Sequence, residues 1–145
     1  MRLAFVLTLA FVLVGCSGSG GDGVVPDDFH LVLGEGGGVT GQWTGITVLA
    51  DGTLKKWQGK AAEENAEKVG TLDKAEMTAL WKAVDDAHIF SLRGEKPQNF
   101  SRIIMLTAGE KSNEVRWTPR LGSGPTAIDT FYKTCRDLAQ KHSES

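Results

Sequence analysis

Asp51-Gly52 is the feature that most narrows what this chain can fold into. It stands between two runs of strand-like residues, Trp43 to Ala50 and Thr53 to Gln58. A two-residue connection of this type needs positive φ at its centre, which Asp-Gly supplies at small cost, so the two runs are predicted to pair as an antiparallel hairpin. With Asp51 and Gly52 as the loop, Leu49 falls opposite Leu54 and Ile46 opposite Trp57, one hydrophobic pair on each face. A first strand precedes the hairpin, with Phe29, Leu31 and Leu33 alternating with His30 and Val32. The stretch from Gly59 to Lys68 is polar and alanine-rich and carries no clear period, which reads as a loop or a helical turn.

Asp73 with Glu76 three residues on forms a capping-box pattern, and Met77, Leu80, Trp81 and Val84 share one helical face, so a helix is predicted from Lys74 to Ala87. His88 follows it, where an imidazolium interacts favourably with the helix dipole. Alternation returns at Arg102 to Thr107 and at Glu114 to Trp117, predicting a second hairpin closed around Gly109 to Asn113. Pro119 ends it, and a last helix is predicted to open at Pro125 and run to about Lys141. The expected fold is therefore α+β: an antiparallel sheet of about five strands with two helices packed on one face, in the order strand, strand, strand, helix, strand, strand, helix.

The N-terminus carries a different message. Met1-Arg2 precedes twelve residues, Leu3 to Val14, with no charge and a single hydroxyl. As a helix this run spans about 18 Å, short of the ~30 Å hydrocarbon core, and reads as the apolar region of a signal peptide. It ends in Leu13-Val14-Gly15-Cys16, which resembles the lipobox of bacterial lipoproteins. The resemblance implies lipid attachment at Cys16, cleavage before it, and a cell-envelope location. The implied membrane is the outer membrane if the source is Gram-negative, because Ser17 rather than aspartate follows the cysteine. In a Gram-positive source it is the outer face of the cell membrane. The alternative is a secretory signal with an incidental cysteine. Ser17 to Gly23 then form a flexible tether with a reach of roughly 15 Å. The resulting division is a signal peptide at 1–15, a lipidated tether at 16–27, one domain at 28–141 and a tail at 142–145.

Composition excludes several functions. Sixteen basic and 18 acidic residues leave a net charge of -2, with no surplus to neutralise a nucleic-acid backbone. The cysteines are Cys16 and Cys135; a lipidated Cys16 leaves Cys135 without an intramolecular partner, and helical spacing puts Cys135 on the apolar face of the last helix. His30, His88 and His142 belong to no spaced ligand pair, so neither a metal site nor a cofactor is expected. No Gly-x-Ser-x-Gly elbow or Ser-x-x-Lys motif is present, Ser123 reads as a cap or turn, and Asp85 and Asp86 point to different sides of a helix. No catalytic residue is expected.

Eighteen glycines include ten between Gly15 and Gly41. Gly36, Gly37, Gly38, Val39, Thr40 and Gly41 satisfy the dinucleotide-loop pattern, but a strand and not a helix follows, so no helix N-terminus is available for a phosphate. They read as a turn, from Gly34 to Gly41, whose bare backbone admits another protein's chain, and they are the candidate partner-contact residues. Of the tryptophans, Trp81 reads as core, and Trp57 and Trp117 as cross-strand packing.

From Phe29 to Leu138 the order of pieces resembles a group of small bacterial lipoproteins and, more distantly, emfourin. The pieces are a strand, a Gly-Gly-x-x-Gly turn, a hairpin, the helix with Leu80-Trp81-Lys82-Ala83-Val84-Asp85-Asp86-Ala87-His88-Ile89-Phe90-Ser91-Leu92, two strands, and a helix entered through proline. Emfourin-type proteins inhibit thermolysin-like metallopeptidases. The resemblance implies a non-enzymatic domain whose loops engage a protein partner, such a peptidase being one form of it. Where those sequences have arginine and serine before the turn, this chain has Gly34-Glu35. The rival expectation is an envelope structural or assembly lipoprotein docked in a larger complex.

Overall fold

The computed structural model describes residues 23–96, 98–120, 122, 124 and 126–144. The expected signal segment, Cys16, the expected tether up to residue 22, Pro97, Ser123 and Pro125 lie outside the described residues. The elements are β1 (His30–Gly37), β2 (Gln42–Leu49), β3 (Thr53–Gly59), β4 (Glu67–Thr71), α1 (Lys74–Asp86), a single 3-10 turn (Ile89–Ser91), β5 (Phe100–Ala108), β6 (Lys111–Trp117) and α2 (Ala127–Ser143). The strands form one antiparallel sheet in the order β4-β3-β2-β1-β5-β6. The architecture is α+β, with six strands where about five were expected. Among the described residues no helix is long and apolar enough to cross a membrane.

Both helices pack on one face of the sheet. Met77, Leu80 and Val84 of α1 and Phe131, Tyr132, Cys135 and Ala139 of α2 join Leu31, Leu33, Ile46, Val48, Leu54, Ile104 and Leu106 in one buried cluster. Both helices open on full capping boxes, Asp73 with Glu76 and Thr126 with Asp129. The cap of α2 is thus Thr126 and its first residue Ala127, two residues later than the expected start at Pro125.

The hairpin forms, but one residue out of the expected register. Val48 pairs with Leu54 and Gly45 with Trp57. The loop has three residues because the N–H of Gly52 donates to Leu49 O (2.9 Å) and only Gly52, at φ +83°, is left-handed. Asp51 instead accepts the N–H of Thr53 (2.8 Å) through its carboxylate. A type I turn followed by a left-handed glycine is the usual three-residue solution, and it shifts the register by one. Val48, Ile46 and Leu54 thereby share the helix-covered face, and Trp57 is delivered to the other. The second hairpin closes more tightly than expected, through Gly109 and Glu110 alone, since Ala108 pairs with Lys111 and Gly109 takes φ +63°.

Two further differences bear on the candidate site. The stretch from Gly59 to Lys68, expected as a loop or helical turn, runs at its end into β4, an edge strand paired to β3 that begins at Glu67. And Gly34 to Gly37 belong to β1, so the connection to β2 is only residues 38–41.

The helix-free face is buried by its own side chains. Gly34 and Gly45 are cross-strand neighbours, and the Trp57 indole lies flat across both. A Cβ on Gly34 would stand 2.6 Å from Trp57 Cη2, and one on Gly45 would overlap the same ring. Trp43 lies over Gly36 in the same way. Trp57 is only 3% exposed although no helix covers it. The loop at 60–66 completes the cover: Glu63 accepts a hydrogen bond from Thr47 Oγ1 (2.9 Å) and lies 2.9 Å from His30 Nε2. Burial raises the Glu63 carboxyl, but these hydrogen bonds outweigh it and hold the group below its ordinary value.

Candidate functional site

The sheet has two distinct ends. His30 pairs with both Leu49 and Thr107, so the entry of the domain shares one end with the turns at 50–52 and 109–110. Gly37 pairs with Gln42 and Phe100, which puts the turn at 38–41 at the opposite end. Seven steps of about 3.3 Å separate His30 from Gly37, roughly 23 Å.

Four glycines meet at this far end, for different reasons. Gly36 is buried beneath Trp43. Gly37 takes φ +98°, and a Cβ there would collide with Asn99 O. Gly38 and Gly41 take φ +70° and +61°, conformations that suit glycine. The Gly38 N–H donates to Asn99 O, the Gly41 N–H to Gly38 O (3.3 Å), and the Gln42 N–H to Thr40 Oγ1 (3.4 Å). The turn is therefore braced from behind by the approach to β5. Its side chains are Val39 and Thr40, and Val39 is fully exposed. Phe100, next to Asn99, is 48% exposed.

Behind the turn, on the helix-covered face, Glu35 lies between two arginines, with Arg136 Nη1 at 2.6 Å from Oε1 and Arg102 Nε at 3.3 Å from Oε2. Arg102 also reaches Asp129 (3.5 Å) and stacks over Tyr132, 4.7 Å from its ring centroid. Trp117 meets Tyr132 edge-on and donates from Nε1 to Asp129 (2.9 Å). Burial raises the Asp129 carboxyl, yet hydrogen bonds from Thr126 and Trp117 prevail and keep it lowered. Burial, with Glu35 nearby, pushes the Tyr132 phenol well above its ordinary value, so it stays protonated. The network ties the first turns of α2 to β1, β5 and β6. It is occupied with itself and has no free acid and base pair.

Two concavities adjoin this end. A groove of about 1050 Å³ runs between α2 and the strands β2 to β4, floored by Leu33, Ile46 and Val69 and rimmed by Lys56, Gln58 and Glu144, charges of both signs. On the other face a cleft of about 330 Å³ is bordered by Trp43, Lys60, Ala61, Ala62, Ile103 and Arg116. Only residue types and positions scattered along the chain signalled this cleft; a polar loop beside a tryptophan has no distinguishing period.

The other singled-out residues do not converge. Cys135 is buried in the core, and burial raises its thiol far above the ordinary value, so it is no nucleophile. His88 is exposed and left-handed at φ +52° where α1 ends. His142 lies 2.9 Å from Glu76, and Asp85 and Asp86 are exposed. Trp81 is partly buried, packed edge-on against Phe29 and Phe90. Among the described residues no group of three His, Cys, Asp or Glu side chains is placed to hold a metal ion. No protein-family model matches the chain, and no curated protein matches it.

Proposed function

We propose that this chain is a lipid-anchored binding module of the cell envelope, without enzymatic chemistry of its own, that engages a protein partner through the turn at 38–41. One observation carries the reading. The turn presents Val39 fully exposed on a backbone that Gly38 hydrogen-bonds to Asn99, at the opposite end of the sheet from His30. An exposed aliphatic side chain on a pre-ordered backbone loses little entropy on binding, and flanking glycines admit a partner's main chain. The lipobox-like Leu13-Val14-Gly15-Cys16 supports the anchor, and Ser17 supports outer-membrane placement in a Gram-negative source. The emfourin resemblance supports a thermolysin-like metallopeptidase as the partner.

Full-length protein in uncharged detergent micelles is expected to slow a thermolysin-like enzyme at stoichiometric concentration. Val39→Ser is expected to weaken that inhibition about tenfold, as loss of an interface anchor does. Absence of inhibition across several such enzymes removes the inhibitor form. Photo-crosslinking from position 39 in native membranes then decides between a captured protein partner, which sustains a binding turn, and no product, which ends it.

A further inference from the structure

We propose that the cleft bordered by Trp43, Lys60 and Arg116 receives a carboxylate side chain of the protein partner. This rests on the reading of the neighbouring turn as a contact surface and names the chemistry of that contact. Trp43 is two residues from Gly41, so a chain crossing the turn brings its next side chains to the cleft.

The lining decides the ligand class. Among the described residues it contains two cations and no carboxylate, whereas the larger groove, which Lys60 also borders, mixes both signs. The Arg116 guanidinium lies over the Trp43 ring, 5.5 Å from its centroid, which orients its fork. Its Nε faces Glu114 (3.2 Å) in an exposed pair of small strength. Among the described residues, no hydrogen bond or ion pair engages the terminal N–H groups of Arg116 or the ammonium of Lys60. Ile103 and the methyls of Ala61 and Ala62 supply apolar walls, against which a charge-assisted hydrogen bond gains strength.

The cleft is also pre-ordered. The backbone N–H groups of Lys60 and Ala61 donate to Glu64 Oε2 (2.6 and 3.1 Å), and Asn65 Nδ2 donates to Gln58 O (3.0 Å). Little chain entropy remains to be lost there on binding. Glu114 offsets part of the Arg116 charge, so a single negative charge matches the cleft better than a dianionic phosphate. The methylenes of a glutamate suit its alanine walls.

The test uses the glutamate side chain alone, as N-acetyl-glutamate amide, titrated into isotope-labelled full-length protein in uncharged micelles. Saturable NMR shifts are expected at the Trp43 indole and Arg116 Nε. N-acetyl-glutamine amide is expected to give none. Lys60→Ala and Arg116→Gln are each expected to weaken the probe about tenfold, the usual scale for one charge-assisted hydrogen bond. Lys60 is exposed, so its variant tests the cleft without threatening the fold. Equal shifts from the amide, tighter binding of inorganic phosphate, or no change on Lys60→Ala would overturn the assignment. Val39→Ser is expected to leave probe binding unchanged. Failure of the cleft and failure of the turn are thus read separately, since the probe needs no partner and position 39 is judged by crosslinking.

Discussion

At the scale of single residues, glycine and tryptophan form one device. Gly34 and Gly45 leave a flat patch on which Trp57 lies, and Gly36 does the same for Trp43, so a sheet face without helices is closed by its own aromatics. This is the rescue of strand glycines by cross-strand rings. Gly45 is the most demanding of these positions, since a Cβ there would meet both the indole of Trp57 and the carbonyl of Leu33. Gly45→Ala is expected to cost about 2 kcal/mol or more, the scale of overpacking a filled site. Trp57→Leu introduced with it is expected to recover part of that loss. Urea unfolding of the two variants checks this, and a loss below about 0.5 kcal/mol for Gly45→Ala would mean that the ring is free to move.

At the scale of elements, α2 is fixed at both ends. Its start is held by Asp129 with Thr126, Trp117 and Arg102, and its last turn is clamped to the first turn of α1 through Glu76. Glu76 receives Lys141 Nζ at 2.9 Å and lies 2.9 Å from His142 Nε2 while it also caps the Asp73 N–H. Lys141, the Asp73 N–H and His142, in that order, lower its carboxyl to about 2 from an ordinary 4.5. The folded value lies below the unfolded one, so the stabilisation is complete above about pH 4.5 and is lost as pH falls toward 2. With its partners partly in water the contribution is about 1 kcal/mol. The stability gap between the native chain and Glu76→Gln is expected to close across that window in acid-unfolding curves. A gap unchanged from pH 6 to pH 2 would show that the clamp is not ionic.

At the scale of the whole molecule, the sheet has two ends, which the proposed function reads as a tether end and a contact end. Gly23 enters beside Thr78 of α1, and His30 begins the strand whose last residue, Gly37, leads into the turn. On the anchored reading, the turn and both concavities around it are therefore carried away from the bilayer. If the proposed anchor holds the protein, Cys16→Ser is expected to abolish lipid labelling and release it from membranes, since on that reading acyl chains and not the domain supply the grip. Unchanged membrane retention of the variant would refute the anchor.

Much of this organisation was legible in sequence because it rests on local chemistry. The capping box at Asp73 and Glu76, the amphipathic face of Met77, Leu80 and Val84, the alternation of β1 and β5, and the buried position of Cys135 each follow from the period of neighbouring side chains. β4 was not legible: Glu67-Lys68-Val69-Gly70-Thr71 has no apolar alternation, and it is a strand because β3 offers it an edge. The register of the first hairpin was not legible either, because Asp51 accepts from Thr53 and moves the left-handed residue to Gly52 alone. The glycine pattern itself determined that the backbone near residues 34–41 is permissive. Only the tertiary structure divided it, making Gly34 and Gly36 seats for rings that arrive from other strands, and Gly38 and Gly41 the frame of an exposed turn. The cleft between Trp43, Lys60 and Arg116 belongs wholly to the second kind, since residues up to 73 positions apart meet there through strand pairing and loop folding that no local period encodes.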